Sequence, residues 1–164
     1  MPALNKQLFL LFLVGLLALT SCQKEYDVYE VTDVTILPVN SEKTKPKTDA
    51  QYISILYTNF FQEPIGPSKM LEAQNAIASI GDKQIAYEML VSKYMNDPRV
   101  ILPPNDEMRS DPIGFVRDTY KRFMVRQPTE AELLWWVNYI DSTPDVTSEL
   151  VYFAFATSNE HFHY

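Results

Sequence analysis

Residues 111–140 read DPIGFVRDTYKRFMVRQPTEAELLWWVNYI, and this stretch decides the fold. Asp111 before Pro112 is typical of a helix start, because the carboxylate caps the first amides and proline is tolerated at the first helical position. The apolar residues that follow have the spacing of one helix face: Phe115 or Val116, Tyr120, Phe123 and Met124. Pro128 ends or follows this predicted helix.

A second helix is predicted to begin at Thr129. The segment Thr129-Glu130-Ala131-Glu132 has the pattern of a capping box, in which the Thr129 hydroxyl accepts from the Glu132 amide while Glu132 reaches back. The predicted buried stripe of this helix is Leu133, Trp136, Val137 and Ile140. A third helix is predicted to open at Pro144-Asp145, with Val146, Leu150, Phe153 and Ala154 facing inward.

The same order of segments occurs upstream at an offset of 63 residues, which aligns Tyr57 with Tyr120 and Phe60 with Phe123. The upstream copy offers helices over Tyr52 to Phe61, Pro67 to Ile80 and Gln84 to Met95. The sequence therefore predicts an all-α domain over 50–164, with about six helices in two three-helix repeats. Repeat 1 is predicted over about 50–97, a linker over 98–110, and repeat 2 over about 111–164.

Composition restricts the function. The chain has 14 Lys and Arg against 21 Asp and Glu, which gives a formal net charge of −7. We therefore expect no nucleic-acid partner, because binding phosphates requires a dense basic surface. With 46% hydrophobic and 21% charged residues, the composition is that of a globular chain.

Residues 1–21 have the features of a secretory signal: Lys6, an apolar run over 8–19, and small residues before Cys22. The run is shorter than the roughly 20 residues that a membrane-spanning helix needs. Cys22 is the one cysteine of the chain, so it forms no internal disulfide.

The segment Leu19-Thr20-Ser21-Cys22 resembles the lipobox of bacterial lipoproteins. The resemblance implies that Cys22 carries lipid chains such as palmitate and becomes the new N-terminus, which anchors the protein without a membrane-spanning helix. In many Gram-negative lipoproteins, Asp directly after the lipidated cysteine marks retention in the inner membrane, and this chain has Gln23 there. The resemblance therefore implies that the protein is anchored in the outer membrane, on its periplasmic or cell-surface face. Residues 22–49 then form a tether, in which 26–39 favours a strand or an extended arm and 40–49 a solvated linker.

The segment from Phe115 to Phe123, with Arg126, Pro128 and Trp136, resembles a helical module of uncharacterised function that recurs in bacterial secreted and surface proteins. A similar short pattern occurs in phycobilisome linkers. The resemblance implies a structural role and supplies no catalytic residues.

The sequence contains no arrangement typical of an enzyme, a metal site or a cofactor site. There is no Gly-x-Ser-x-Gly motif and no glycine loop for phosphate. The paired acids Glu130 and Glu132 are better explained by the positive end of a helix dipole. The two histidines, His161 and His163, are too few for a structural zinc site and are expected to face solvent at the C-terminus.

Aromatic and basic residues suggest a contact surface for a protein partner. Trp135 and Trp136 diverge by about 100° on a helix, so one of them is expected near the surface. Arg117, Arg122 and Arg126 give the preceding helix a basic side. We expect a non-enzymatic envelope lipoprotein that binds or organises a partner through these five residues. The alternative is a carbohydrate-binding accessory lipoprotein that uses exposed aromatic residues.

Overall fold

The computed structural model describes residues 43–164; the predicted signal peptide, Cys22 and most of the predicted tether lie outside this range. Within it the chain forms seven α-helices and no β-sheet, which confirms the all-α prediction. The helices are α1 (Asp49–Phe61), α2 (Pro67–Ser79), α3 (Lys83–Met95), α4 (Asn105–Ser110), α5 (Pro112–Met124), α6 (Glu130–Ser142) and α7 (Ser148–Ala156). A short 3-10 helix, Glu160–Phe162, precedes the C-terminus.

The two three-helix repeats are present, and their first two helices have the same bounds at the 63-residue offset. Helix α1 begins and ends 63 residues before α5, and α2 begins and ends 63 residues before α6. The third pair differs, because α7 is shorter than α3 at both ends. Each repeat packs its first helix against its second and third.

Helices α1 and α5 form the centre of the core. Their buried residues occupy equivalent positions: Tyr52, Ile53, Leu56, Tyr57, Phe60 and Phe61 in α1, and Phe115, Val116, Thr119, Tyr120, Phe123 and Met124 in α5. The buried face predicted for α5 is therefore confirmed. Phe60 and Phe123, which are equivalent, lie with ring centroids 6.0 Å apart and join the repeats.

The predicted start of α6 is confirmed by its capping box. The Thr129 hydroxyl accepts from the Glu132 amide at 3.2 Å, and the Glu132 carboxylate accepts from the Thr129 amide at 2.7 Å. The predicted start of the third helix at Pro144-Asp145 is wrong, since α7 begins at Ser148. Arg109 donates to the carbonyls of Pro144 at 2.5 Å and Val146 at 2.7 Å, which holds this segment outside the helix.

The inward face predicted for α7 is also wrong in part. Leu150 is 50% exposed and Ala154 is exposed, whereas Tyr152 and Phe155 are buried. Tyr152 packs against Phe123 at 5.0 Å, and Phe155 packs against Tyr120 at 4.9 Å. The two large aromatic rings thus set the rotation of the helix.

The segment 98–110, which was predicted to be a linker, packs against both repeats. It contains α4, whose Met108 is fully buried. The Ile101 amide donates to the Phe60 carbonyl at 2.8 Å, and Asn105 accepts from the Ser148 amide at 2.8 Å. The segment therefore connects the repeats through specific contacts.

The last part of the predicted tether is not a solvated linker. The Lys47 amide donates to the Phe162 carbonyl, and the Tyr164 amide donates to the Lys45 carbonyl, both at 2.8 Å. Pro46 pairs with His163 in an antiparallel bridge. We call this pairing of residues 45–47 with residues 161–164 the terminal clasp. The prediction failed because the partner of this polar segment lies at the other end of the sequence.

Candidate functional site

The two tryptophans of α6 point in different directions, as expected from their adjacency. Trp135 is 58% exposed, and its ring stacks nearly parallel to that of Tyr139, with centroids 5.4 Å apart and planes 8° apart. Trp136 turns inward and packs against Phe155 at 5.0 Å. Of the pair, Trp135 therefore offers the open aromatic surface.

Trp135 belongs to a larger apolar surface on α6. Its neighbour Leu134 is also 58% exposed, and Tyr139 is partly exposed. We call these three residues the α6 patch. The helix contains no Lys, Arg or His, and its exposed acids include Glu130 and Asp141. The patch is thus an apolar area with acidic residues near the two ends of the helix.

The equivalent surface of the first repeat is less apolar. Leu71 on α2 is 59% exposed and occupies the position of Leu134, but Glu72 occupies the position of Trp135. Glu72 is paired with Lys93 at 2.5 Å. The two repeats therefore differ at the residue that would anchor a partner, and α2 supplies a matched control for α6.

The predicted basic side of α5 is only partly open. Arg117 and Lys121 are exposed, and no carboxylate within residues 43–164 lies at ion-pair distance from either. Arg122 is partly buried, with its guanidinium 5.6 Å from the Tyr152 ring centroid. Arg117 is therefore the predicted arginine that lies most open to a partner.

Arg126 was predicted to lie on the contact surface, and its placement there is wrong. It is 6% exposed and lies between two carboxylates. Its Nε and Nη2 atoms donate to Glu160 at 2.6 and 2.7 Å, and its Nη2 and Nη1 atoms donate to Glu132 at 2.7 and 2.9 Å. The guanidinium is occupied within the domain, because a buried charge requires partners for its donors.

Arg126 fixes the protonation of one of its partners, Glu132. Hydrogen bonds from Arg126 lower the pKa of Glu132 to about 2. Lys43 joins the cluster, with Nζ donating to the Met124 carbonyl and lying 3.6 Å from Glu160. A cavity of about 430 Å³ opens beside these groups. The Glu132 carboxyl group is already deprotonated at pH values well below 7. It therefore has no proton to donate at pH 7 and is not suited to act as a general acid there.

His161 was expected at the surface, and the structure instead buries it completely. Its ring lies between those of Tyr52 and Phe123, at 5.5 and 5.6 Å, and Nδ1 donates to the Phe123 carbonyl at 3.0 Å. Burial lowers its pKa to about 4, so the ring is neutral at pH 7. The terminal clasp holds the C-terminal segment in this position. His163 remains partly exposed.

Within residues 43–164, no three His, Cys, Asp or Glu side chains come together in a way that would hold a metal ion. In the same range no helix has the length and apolar character needed to cross a bilayer. Comparison with known proteins gives no matching family model, no similar curated protein and no similar solved structure.

Proposed function

We propose that the protein is a lipid-anchored, non-enzymatic component of the bacterial outer membrane that binds a partner protein through the α6 patch. The exposure of Trp135 carries this proposal. A large aromatic side chain beside an exposed leucine loses apolar contact with water when a partner covers it. Tryptophan is also enriched among the residues that dominate binding energy at protein interfaces.

Arg117 and Lys121 on α5 extend this proposal. Their side chains are exposed and are not engaged by carboxylates of the described residues, so they are open to acidic groups of a partner. Such charges at the rim of an interface mainly affect the rate and specificity of association. Arg126 has no part in the proposed contact. Trp136 supports the α6 patch from within, since its ring centroid lies 4.8 Å from that of Trp135.

The lipid anchor rests on the lipobox resemblance at Cys22. An acylated Cys22 would hold the helical domain at the membrane, because each buried CH₂ adds about 0.8 kcal/mol of membrane affinity. Metabolic labelling with a palmitate analogue tests this part. We expect label on the wild-type chain and none on Cys22→Ala, whereas equal labelling of the two would reject Cys22 as the acylation site.

Purification of the partner tests the contact. The full chain, tagged after Tyr164, is isolated from detergent-solubilised outer membranes together with Trp135→Ala and the matched control Leu71→Ala. We expect one or two envelope proteins to co-purify with the wild type and with Leu71→Ala, but not with Trp135→Ala. Retention of the same proteins by a folded Trp135→Ala variant would reject the α6 patch as the contact.

A second candidate function is glycan binding, favoured by the stacking of Trp135 on Tyr139. Exposed aromatic rings offer flat apolar faces to the C–H groups of sugars. This function predicts that soluble envelope glycans change tryptophan fluorescence in the wild type and not in Trp135→Ala. A fluorescence change without a co-purifying protein would favour glycan binding over protein binding.

A further inference from the structure

A second, smaller cavity lies within the first repeat, between α1, α2 and α3, and has a volume of about 180 Å³. Its wall carries three cations and two carboxylates: Lys69, Lys93, Arg99, Glu72 and Asp97. We call it the first-repeat pocket. A third carboxylate, Glu63, lies 3.8 Å from Arg99 beside this wall, so the cations and carboxylates around the cavity are equal in number.

Lys69 is the cation of this wall that no carboxylate neutralises directly. Lys93 pairs with Glu72 at 2.5 Å, and Arg99 pairs with Asp97 at 2.6 Å. Lys69 Nζ donates to the Tyr57 hydroxyl at 2.6 Å, and no carboxylate within residues 43–164 lies at ion-pair distance from it. An ammonium group has three donors, so two of them remain for a ligand.

Tyr94 adds a second donor to the wall. It is 7% exposed, and its hydroxyl has no hydrogen-bond partner within the described residues. Burial raises the pKa of Tyr94, which keeps the hydroxyl protonated. A buried donor without an acceptor costs about 1–3 kcal/mol.

The second repeat has charged side chains at the positions equivalent to this wall, and there they bind one another within the domain. It places Tyr120, Arg126, Glu132 and Glu160 where the first repeat has Tyr57, Glu63, Lys69 and Asp97. There the acid at the Lys69 position is bound by Arg126. In the first repeat, Glu63 accepts from the Tyr57 hydroxyl at 2.9 Å and is not paired with Lys69. The second repeat thus satisfies its own charges, and the first leaves a cation open.

We propose that the first-repeat pocket binds a small oxyanion, a carboxylate or phosphate group, with Lys69 as the main contact and Arg99 at the rim. Hydrogen bonds between a charged donor and an anionic oxygen are about twice as strong as neutral ones. The volume is below the roughly 300–1,000 Å³ of sites that enclose a small molecule. The pocket therefore takes the anionic end of a ligand whose remainder stays outside.

The thermal unfolding midpoint of the full chain in detergent measures this binding. Inorganic phosphate and acetate are titrated separately, with chloride as the ionic-strength control, because a ligand bound to the folded state raises the midpoint. We expect a saturable rise with one or both anions, and the anion that gives it identifies the ligand group. Lys69→Gln should weaken the affinity at least tenfold. Lys45→Gln, which removes an exposed lysine side chain outside the first-repeat pocket and the α6 patch, should leave it within twofold.

Two outcomes would overturn the proposal. One is the absence of any rise beyond that produced by chloride with either anion. The other is an equal rise in Lys69→Gln, which would indicate a general salt effect on the folded state. Because Lys69 and Trp135 belong to different repeats, the result is independent of the test of the α6 patch.

Discussion

Gln62 and Val125 stand 63 residues apart, and both adopt left-handed backbone where their helices end, with φ angles of 53° and 55°. Within residues 43–164 they are the two residues with positive φ. For a residue other than glycine this conformation costs about 1–2 kcal/mol. The repeats therefore share the left-handed turn after their first helix, including its energetic cost, in addition to the bounds of their first two helices.

This turn predicts the effect of glycine at Gln62. Gln62 is exposed, and its amide still donates to the Thr58 carbonyl in Gln62→Gly. Glycine removes the energetic cost of the left-handed conformation, which stabilises the folded state, but it also increases the backbone entropy of the unfolded state, which opposes this gain. We expect a net gain of about 0.5 kcal/mol in the free energy of unfolding. The control Ala76→Gly, within α2, should lose about 1 kcal/mol. Urea denaturation measures both, and a loss of stability in Gln62→Gly would contradict the prediction.

Removal of Arg126 should destabilise the domain strongly. Arg126→Ala leaves Glu132 and Glu160 facing each other without their shared cation. Both carboxylates are partly exposed, so we expect a loss of about 2–3 kcal/mol, somewhat below the 3–5 kcal/mol for a fully buried pair. Arg117→Ala, which removes an exposed arginine of α5, should change the free energy of unfolding by less than about 0.5 kcal/mol. Similar losses for the two variants would reject the assigned role of Arg126.

Burial of His161 makes stability depend on pH. The pKa of its ring falls from 6.5 to about 4 on folding, so the unfolded state binds the proton first as the pH decreases. The share of the free energy of unfolding that comes from the neutral His161 ring is fully present above pH 6.5. It decreases as the pH falls towards 4, by up to about 3 kcal/mol. The carboxyl of Glu132, with its pKa at about 2, continues the loss below pH 4.5. Urea denaturation at several pH values should show a weaker decline between pH 6.5 and 4 in His161→Phe; an unchanged decline would exclude His161 as its source.

The terminal clasp should depend on Lys47. Its Nζ atom donates to the carbonyls of His161 at 2.5 Å and His163 at 2.7 Å. We expect Lys47→Ala to reduce the free energy of unfolding by about 1 kcal/mol and to speed hydrogen exchange at the Tyr164 amide. Lys45→Ala is the control, because the clasp uses the Lys45 carbonyl and not its exposed side chain. Equal exchange rates in the two variants would show that the Lys47 ammonium is dispensable.

Local sequence signals predicted the helices well. The Asp111-Pro112 start, the capping box at Thr129 and the aromatic spacing of α5 all act within a few residues, and each was found where it was predicted. The 63-residue offset likewise indicated the order of helices in the first repeat. Such signals depend on short-range geometry, which a single sequence contains.

The errors concern contacts between distant parts of the chain. Lys47 meets residues 161–163, and Arg126 meets Glu160, at separations that no local pattern encodes. The same holds for His161, which is buried because the clasp encloses the C-terminus. The start of α7 depends on Arg109, which donates to the carbonyls of Thr143, Pro144 and Val146 ahead of this helix. No local pattern in the sequence indicates these hydrogen bonds.

The placement of the candidate contact residues was predictable only in part. The adjacency of Trp135 and Trp136 indicated that one is near the surface, and the structure shows which one. For Arg126 the position of Glu132, within a predicted capping box, was the available signal for an ion pair. It did not indicate the second carboxylate, Glu160, which completes the burial of the charge.

Photocrosslinking in intact cells tests the proposed contact most directly. A photoreactive residue replaces Leu134 in one strain and Leu71 in another, two leucines at equivalent positions with exposures of 58% and 59%. Our account predicts a discrete crosslink to an envelope protein from position 134 and none from position 71. The absence of a crosslink at 134, or the same product from both positions, would contradict the assignment of the α6 patch as the partner-binding surface.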